Sequence, residues 1–535
     1  MKHATVVIIG GGATGIGIFR DLCMRGVRTI LLEQGGIAAG ASSRYHGLLH
    51  SGGRYAVKDR EAARECIREN QILRRIGKGC VEEGEGFFVL RDDDDAEYEK
   101  AWVAACAEAG IDAVPVEPAE ALRLEPDLTP RIKAVYRVPD ASVDGFRLVW
   151  HNALAAFRLG GEMLTHHRVE SIEARGGRVA GVTARNTVTG EAVQISCDML
   201  VNAAGSWCGQ VAKMVGLDVA VQPDRGTLVA FNHRFTSRIV NRLHPSSDGD
   251  IFVPHGSITI LGTTSFYADR PDAHDVPTED VLRLLDIGEQ LFPKVKSYRI
   301  LRTFAGTRPL YAGKAGAKGR AVSRGFHIAD HAEEGLEGMF SIFGGKFTTY
   351  RLMAEKLCDA VCAKLGVSAP CRTADEPIIP LPGKEEMERA RKYFPVQSVE
   401  LVANRLGTDF SKVVRKASSL PDNPLFCECE MVTQAEIEHV AADPLSVSMD
   451  DIRVRTRMGM GTCQGSYCSL RTIGLLAEGE GAFSGKPITF LHHFLQERWK
   501  GVRPALWGIQ AKEMELGRAV YAATLNIDGA VHEEL

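Results

Sequence analysis

The sequence predicts an α/β fold, α+β taken as a whole: a Rossmann-like domain, an inserted antiparallel-sheet domain and a small cysteine-bearing C-terminal domain. Three observations predict it. An apolar, β-branched run, Thr5-Val6-Val7-Ile8-Ile9, leads at once into Gly10-x-Gly12-x-x-Gly15 and a helical stretch through Arg20-Asp21-Leu22-Cys23, after which Thr29-Ile30-Leu31-Leu32 ends in Glu33. Residues 164–195 and 213–264 show β-type alternation between glycine turns, the pattern of a second, mostly antiparallel sheet. Four cysteines gather in two tight pairs towards the C terminus, Cys427-x-Cys429 and Cys463-x-x-x-x-Cys468.

Each part of the first element has a mechanical reason. The glycines let the turn tighten, let backbone approach a pyrophosphate and let helix pack on strand, while the helix N-terminus offers N–H groups and a positive dipole to the anion. Glu33 stands where an acid accepts hydrogen bonds from ribose hydroxyls. The ordered set of strand, glycines, helix, strand and acid reads as a dinucleotide site. There is no second such motif between a strand and a helix, because Gly459-x-Gly461 lies among the cysteines without a preceding apolar strand.

Further along, Asp198–Gly205 is a strand running into a small-residue turn suited to close passage beside a nucleotide. Phe340–Phe343 followed by Gly344-Gly345-Lys346 is another strand, glycine turn and helix start, with the helix N-terminus available to the far end of the cofactor. The acidic run Asp92–Asp95 reads as a solvated turn. Pro377-Ile378-Ile379-Pro380-Leu381-Pro382-Gly383 cannot continue a helix and marks a boundary, beyond which Lys384–Tyr393 and Val396–Leu406 have helical spacing.

Composition narrows the function classes. A 535-residue chain, 45% hydrophobic and 25% charged, is ordinary globular protein of two to four domains. Its net charge of -4 gives no support for a nucleic-acid partner. No apolar run is long enough to span a bilayer, so membrane contact is expected to be peripheral or through a partner protein. Met1-Lys2-His3 runs straight into the first strand, so no signal peptide is expected. The 13 cysteines are accordingly expected to be reduced thiols in a cytosolic compartment.

Those thiols form two populations. Cys23, Cys66, Cys80, Cys106, Cys197, Cys208, Cys358, Cys362 and Cys371 sit among aliphatic neighbours and read as small buried hydrophobes. Cys427, Cys429, Cys463 and Cys468 lie in turn-like settings and can close on one soft-metal centre. A two-iron, two-sulfur cluster fits this set best. The alternatives are structural zinc, though CxC is tight for one tetrahedral ion, and an empty or degenerate site.

The segments Ala41–Ala56, Glu65–Leu73, Gly306-Thr307-Arg308-Pro309-Leu310 and Gly344-Gly345-Lys346 resemble the FAD-dependent glycerol-3-phosphate dehydrogenases. The cysteine segment and Glu497-Arg498-Trp499-Lys500-Gly501-Val502 narrow the resemblance to the large A subunits of the anaerobic, three-subunit branch. The resemblance implies a D-amino-acid-oxidase type FAD-binding domain at 1–75, 145–212 and 325–371, and a substrate domain at 76–144 and 213–324. It further implies a linker with helices at 372–425, a domain like bacterioferritin-associated ferredoxin at 426–480 and a C-terminal segment at 481–535. It implies oxidation of sn-glycerol 3-phosphate to dihydroxyacetone phosphate. Electrons would pass through the cluster and partner subunits B and C to quinone, at the cytoplasmic face of the membrane.

Carried over residue by residue, the resemblance places FAD along Gly10, Gly12, Ala13, Thr14, Gly15, Glu33, Gln34, Ala41, Ser42, Ser43, His46, Gly47, Leu48, Val169, Ala204, Gly205, Trp207, Gly344, Gly345, Lys346, Phe347 and Thr348. It places substrate against Arg54, Tyr55, Lys346 and Arg324, where arginine forks match a phosphate bidentately. Arg308 is expected to stabilise a developing alkoxide rather than act as a base, since guanidinium stays charged; His50 is the candidate base. Leu228, two residues after Gly226, stands where the aerobic relatives are expected to carry a histidine, and it cannot bond to substrate. Two other classes fit the residues: a flavin oxidoreductase of the amino-acid or sarcosine oxidase type with an attached cluster domain, and a non-catalytic FAD scaffold or redox sensor.

Overall fold

The computed structural model describes residues 2–311, 325–478, 483 and 485–526. The chain forms two compact units, one of residues 1–275, 282–298 and 304–378, the other of 276–281, 299–303 and 379–535.

The larger unit is built on two sheets. In the first, five strands run parallel in the order Glu162–Leu164, Thr29–Leu32, Lys2–Ile9, Ala192–Asn202 and Met339–Gly344. Buried parallel strands need apolar side chains on both faces. Accordingly Val6, Val7 and Ile8 are wholly buried, and all of Thr29–Leu32 is. The Ala13–Met24 and Tyr350–Leu365 helices meet where Gly17 admits the Tyr350 ring; a Cβ on Gly17 would lie 2.9 Å from it. Phe326–Asp330 adds an antiparallel edge.

One expectation needs correction. Residues 164–195 do not join the second sheet: strands His167–Arg175 and Arg178–Asn186 extend the first one as an antiparallel hairpin. The reason is the length of Ala192–Asn202. Its first half pairs antiparallel with Arg178–Asn186 and its last three residues pair parallel with Met339–Ser341, along the same edge, while Lys2–Ile9 takes the other. Alternation reports which faces a strand buries, not which neighbour it finds.

Among the described residues the second sheet has nine strands, drawn from 86–138 and 221–311, and is mostly antiparallel, with Ile239–Arg242 running parallel to Gly86–Arg91. Here 213–264 falls as expected, with Val221–Phe231 paired to both Ile258–Gly262 and Phe266–Tyr267. The Asp92–Asp95 run is a turn: Asp92 and Asp93 pair with arginines, Asp94 binds Arg242, and Asp95 caps the Ala96–Ala109 helix. A small sheet of Leu48–Leu49, Ala141–Val143 and Val81–Glu82 anchors the segment leading to Arg54.

The smaller unit is mostly helical. Its boundary at Ile378/Ile379 falls inside the proline-rich Pro377–Gly383 stretch. The three segments read from sequence, 372–425, 426–480 and 481–535, do not keep separate interiors. One core joins Val402, Phe410 and Val413 to Cys427, Ile437 and Ile452 and to Leu491, Phe494 and Leu495. Pieces of this size are marginal as separate cores, and one shared core buries more of their apolar surface.

Candidate functional site

Two of the parallel strands, Lys2–Ile9 and Met339–Gly344, turn at glycine at their carboxyl ends. Gly10 follows Lys2–Ile9 with φ +115°, and a Cβ there would lie 2.5 Å from the Ala203 carbonyl oxygen. A Cβ on Gly15 would lie 1.9 Å from the Gly10 carbonyl oxygen, so this turn closes only without side chains. The Ala13–Met24 helix starts with Gly12 as its cap, no side-chain cap bond and no acid in its first turn. Ser42 Oγ accepts from the Ala13 N–H at 2.8 Å. Glu33 ends the next strand and accepts from the Gly11 N–H at 2.7 Å and the Gly35 N–H at 2.8 Å. Burial pushes its carboxyl up, and those N–H groups pull it back. Gln34 follows it at the surface. Ala204 and Gly205 turn beyond Ala192–Asn202, Trp207 lies 3.7 Å from a Cβ position on Gly40, and Val169 packs with Ile9, Ile30 and Leu32 beneath. A cradle tolerating no side chain, open at a helix N-terminus and flanked by an acid, fits a dinucleotide such as FAD.

Beside this cradle lies a cavity of about 220 Å³. It is lined by Ala13, Thr14, Ala41, Ser42, Leu48, Gly344, Gly345, Phe347 and Thr348 of the expected cofactor set, and by His46, His50, Arg54, Tyr55, Arg308 and Lys346. Ser43 lies in the Ala41–Ser43 turn, and Gly47 has φ +76° where a Cβ would strike His255. Arg324 lies outside the described residues.

Three fixings hold the Leu49–Tyr55 segment. Asn70 Nδ2 donates to the Leu49 carbonyl at 3.0 Å, Asp140 accepts from the Ser51 N–H at 2.6 Å, and Trp102 Nε1 donates to the Gly53 carbonyl at 2.8 Å. Arg54 donates to Asp250 at 2.8 and 3.1 Å, a pair almost wholly buried. Burial raises the Asp250 carboxyl, but Arg54, with His244 and the Ser247 N–H, brings it below its ordinary value. Arg308, on the Ile300–Tyr311 strand, donates to Asp224, to Thr263 Oγ1 and, at 3.2 Å, to the Thr264 carbonyl. Its guanidinium covers Gly226, where a Cβ would lie 2.2 Å from Nη2. Lys346 Nζ sits 5.0 Å from the centre of the Tyr55 ring. The two arginines carry buried carboxylate partners, which fix their direction and offset their charge.

His46 and His50 stand ring to ring at 5.7 Å, and His50 also meets Tyr55 at 5.4 Å. The His50 N–H donates to Thr348 Oγ1 at 3.1 Å. His46 Nδ1 accepts from the Leu48 N–H at 3.1 Å. Burial, then Arg54 and Arg308, push His46 down to about 3, so it is neutral at ordinary pH and its proton resides on Nε2. Leu228 is 1% exposed and packs with Ala230 and Ile260, outside the cavity.

The sequence reading missed Asp224, Asp250 and Thr263. Asp224 had a signal: it precedes Gly226 by two on one strand, hence on the same face. Asp250 had none, being 196 residues from its arginine.

In the smaller unit the thiols meet in pairs, Cys427 with Cys468, Cys463 with Cys468 and Cys429 with Cys463. The Cys468 thiol bonds to both Cys427 and Cys463, which holds those two down and pushes Cys468 up. Backbone N–H groups of Gly459 and Glu430 bond to Cys427, and those of Gly465 and Tyr467 to Cys463. Positive φ at Gly459, Gln464 and Gly465 turns this loop. Among the described residues no three His, Cys, Asp or Glu groups converge as a ready metal site. Soft sulfurs ringed by N–H donors nonetheless have the chemistry of an iron–sulfur ligand set. The nine other cysteines are buried, Cys371 only partly, and none is bridged.

The model of the FAD-dependent oxidoreductase family matches residues 5–351. The chain is 44% identical to the A subunit of the anaerobic glycerol-3-phosphate dehydrogenase of Escherichia coli (strain K12) across 98% of each chain. It is 41% identical to the A1 subunit of the Haloferax volcanii enzyme of the same name, across 98% of this chain and 91% of that one. In fold it is similar to the glycerol-3-phosphate dehydrogenase of Bacillus halodurans, solved with FAD. The TM-score there is 0.68 at 22% identity, covering 95% of this chain and 97% of the other.

Proposed function

The chain belongs to the FAD-dependent oxidoreductase family and to its branch of anaerobic glycerol-3-phosphate dehydrogenase A subunits, and we propose on that premise that it oxidises sn-glycerol 3-phosphate at C2 to dihydroxyacetone phosphate. The observation that carries the reading is Arg54, Arg308 and Lys346 converging, with two histidines, on one cavity beside the dinucleotide cradle. FAD, held by the Gly10–Gly15 turn, Glu33, Ser42 and the Gly344-Gly345 turn, supplies the hydride acceptor.

The phosphate needs cations, and Lys346 and Arg54, with Tyr55 beside them, are its partners. Arg308 faces the C2 oxygen as a fixed positive group; Asp224, Thr263 and Thr264 pre-orient it, so no reorganisation is required as negative charge develops. His50 takes the hydroxyl proton. Neutral His46 donates through Nε2 and leaves the site's charge to the cations.

Under anaerobic conditions glycerol 3-phosphate should bleach the bound flavin, and glycerol at the same concentration should not, because phosphate binding positions C2. Equal bleaching by glycerol, or none by glycerol 3-phosphate, overturns the reading.

We also propose that Cys427, Cys429, Cys463 and Cys468 hold a two-iron, two-sulfur cluster as a one-electron exit to partner subunits B and C and the quinone pool. We place the chain peripherally, through those partners, on the cytoplasmic face of the membrane. Among the described residues no helix is long and apolar enough to cross a bilayer. Iron and acid-labile sulfide should each be present at about two per chain. Zinc in their place overturns the cluster.

A further inference from the structure

Among the described residues near the cysteine loop, Arg498 is a buried cation whose surroundings do not account for its charge. It is 9% exposed, and its Nε has no hydrogen-bond partner. The ionisable groups that face it are Tyr521, Cys463 and another cation, Arg299; no carboxylate is among them. The other buried arginines of this unit differ in this respect. Arg405 is paired with Glu436 at 2.8 Å and Arg455 with Asp443 at 2.9 Å. A guanidinium taken out of water with no anion is strongly destabilising, so an anion is expected beside it.

The helix Pro487–Val502 fixes where that anion lies. Phe494 seats its ring against the backbone of the cysteine loop; Cβ atoms on Gly459 and Gly465 would lie 2.8 and 2.5 Å from it. Arg498 follows Phe494 by four residues and so shares its face, towards the loop. From the other side Tyr521 donates to the Ser466 carbonyl, between Cys463 and Cys468. Phe494 and Tyr521 thus both hold the cysteine loop, and Tyr521 also faces Arg498.

We infer that Arg498 is the counter-charge of the four-thiolate centre, stabilising its extra electron and setting its reduction potential. The inference rests on the cluster proposed above. Four thiolates around two ferric ions and two sulfides carry net negative charge, and reduction adds one more. A buried cation facing Cys463 favours the reduced form, by an amount that low polarity enlarges. Arg498 acts through the cluster as a positioning and tuning residue.

The test uses the full chain purified without oxygen, with iron content and cluster potential as readouts. Arg498→Gln should keep iron and lower the potential by at least a tenfold change in the one-electron equilibrium, which is about 59 mV. Arg498→Lys, which restores charge without the planar fork, should recover most of that shift. Flavin reduction by glycerol 3-phosphate should stay as in the wild type. Iron lost from Arg498→Gln but kept in Arg498→Lys also supports the assignment, since charge alone separates the variants. An unchanged potential in Arg498→Gln, or equal damage in both variants, overturns the inference and leaves the cluster standing. Zinc or no metal in the wild-type chain overturns the cluster, and the inference with it.

Discussion

Gly226→Ala adds one methyl group and tests how the site holds Arg308. The new Cβ would lie 2.2 Å from Nη2, 2.7 Å from Cζ and 2.8 Å from Nη1, where ordinary contact starts at 3.4 Å. Strand backbone at 226 is held by its neighbours, whereas the guanidinium is the far end of a flexible side chain, so the guanidinium moves. It must retreat by about 1 Å, stretching the bonds to Asp224, Thr263 and Thr264. Displacement of that size costs about 10²-fold when it misplaces a group aimed at the reacting atoms. The cradle at Gly10–Gly15 and Glu33 is untouched, so FAD content and thermal midpoint should match the wild type. Anaerobic stopped-flow reduction of the flavin by saturating glycerol 3-phosphate should slow by about two orders of magnitude. Arg308→Ala should slow at least as much. A full-rate Gly226→Ala enzyme would show that the guanidinium's place against the reacting atoms does not matter.

Gly15→Ala, whose Cβ would meet the Gly10 carbonyl at 1.9 Å, should yield a colourless protein, checked by acid release of flavin. Glu69→Ala leaves Arg351, 2% exposed and paired with Glu69 at 2.6 Å, short of its more buried partner; unfolding stability of the larger unit should drop by about 3 kcal/mol, measured by calorimetry. His46 is held down to about 3, whereas the unfolded ring titrates near 6.5. The unfolded state therefore takes up a proton first, and stability is lost as pH falls from about 6.5 towards 3, by roughly 1 kcal/mol per pH unit from this group. His46→Gln should flatten that part of a thermal-midpoint profile, and an unchanged slope would show His46 to be protonatable in the fold.

The glycine cradle and Glu33 were legible in the chain because every part of them is local. Gly10, Gly12, Gly15 and Glu33 lie within 24 residues, and the reasons for each, a turn, a close approach and a strand end, are properties of neighbouring backbone. The cysteine pairs were legible for the same reason, as short spacings of an uncommon side chain. The cationic cavity was legible only by likeness of whole motifs, and its chemistry was half hidden. Arg54 reads as a phosphate cation and Arg308 as a stabiliser of the developing alkoxide, yet each comes with a carboxylate, 196 and 84 residues away, that fixes its aim and offsets its charge. The same limit misplaced the hairpin 167–186, because alternation names a buried face while hydrogen-bond partners are chosen across the fold. Local patterns determine which elements form and which groups they carry. Only tertiary structure decides which charges meet, because a buried ion pair exists through the desolvation its two halves undergo together.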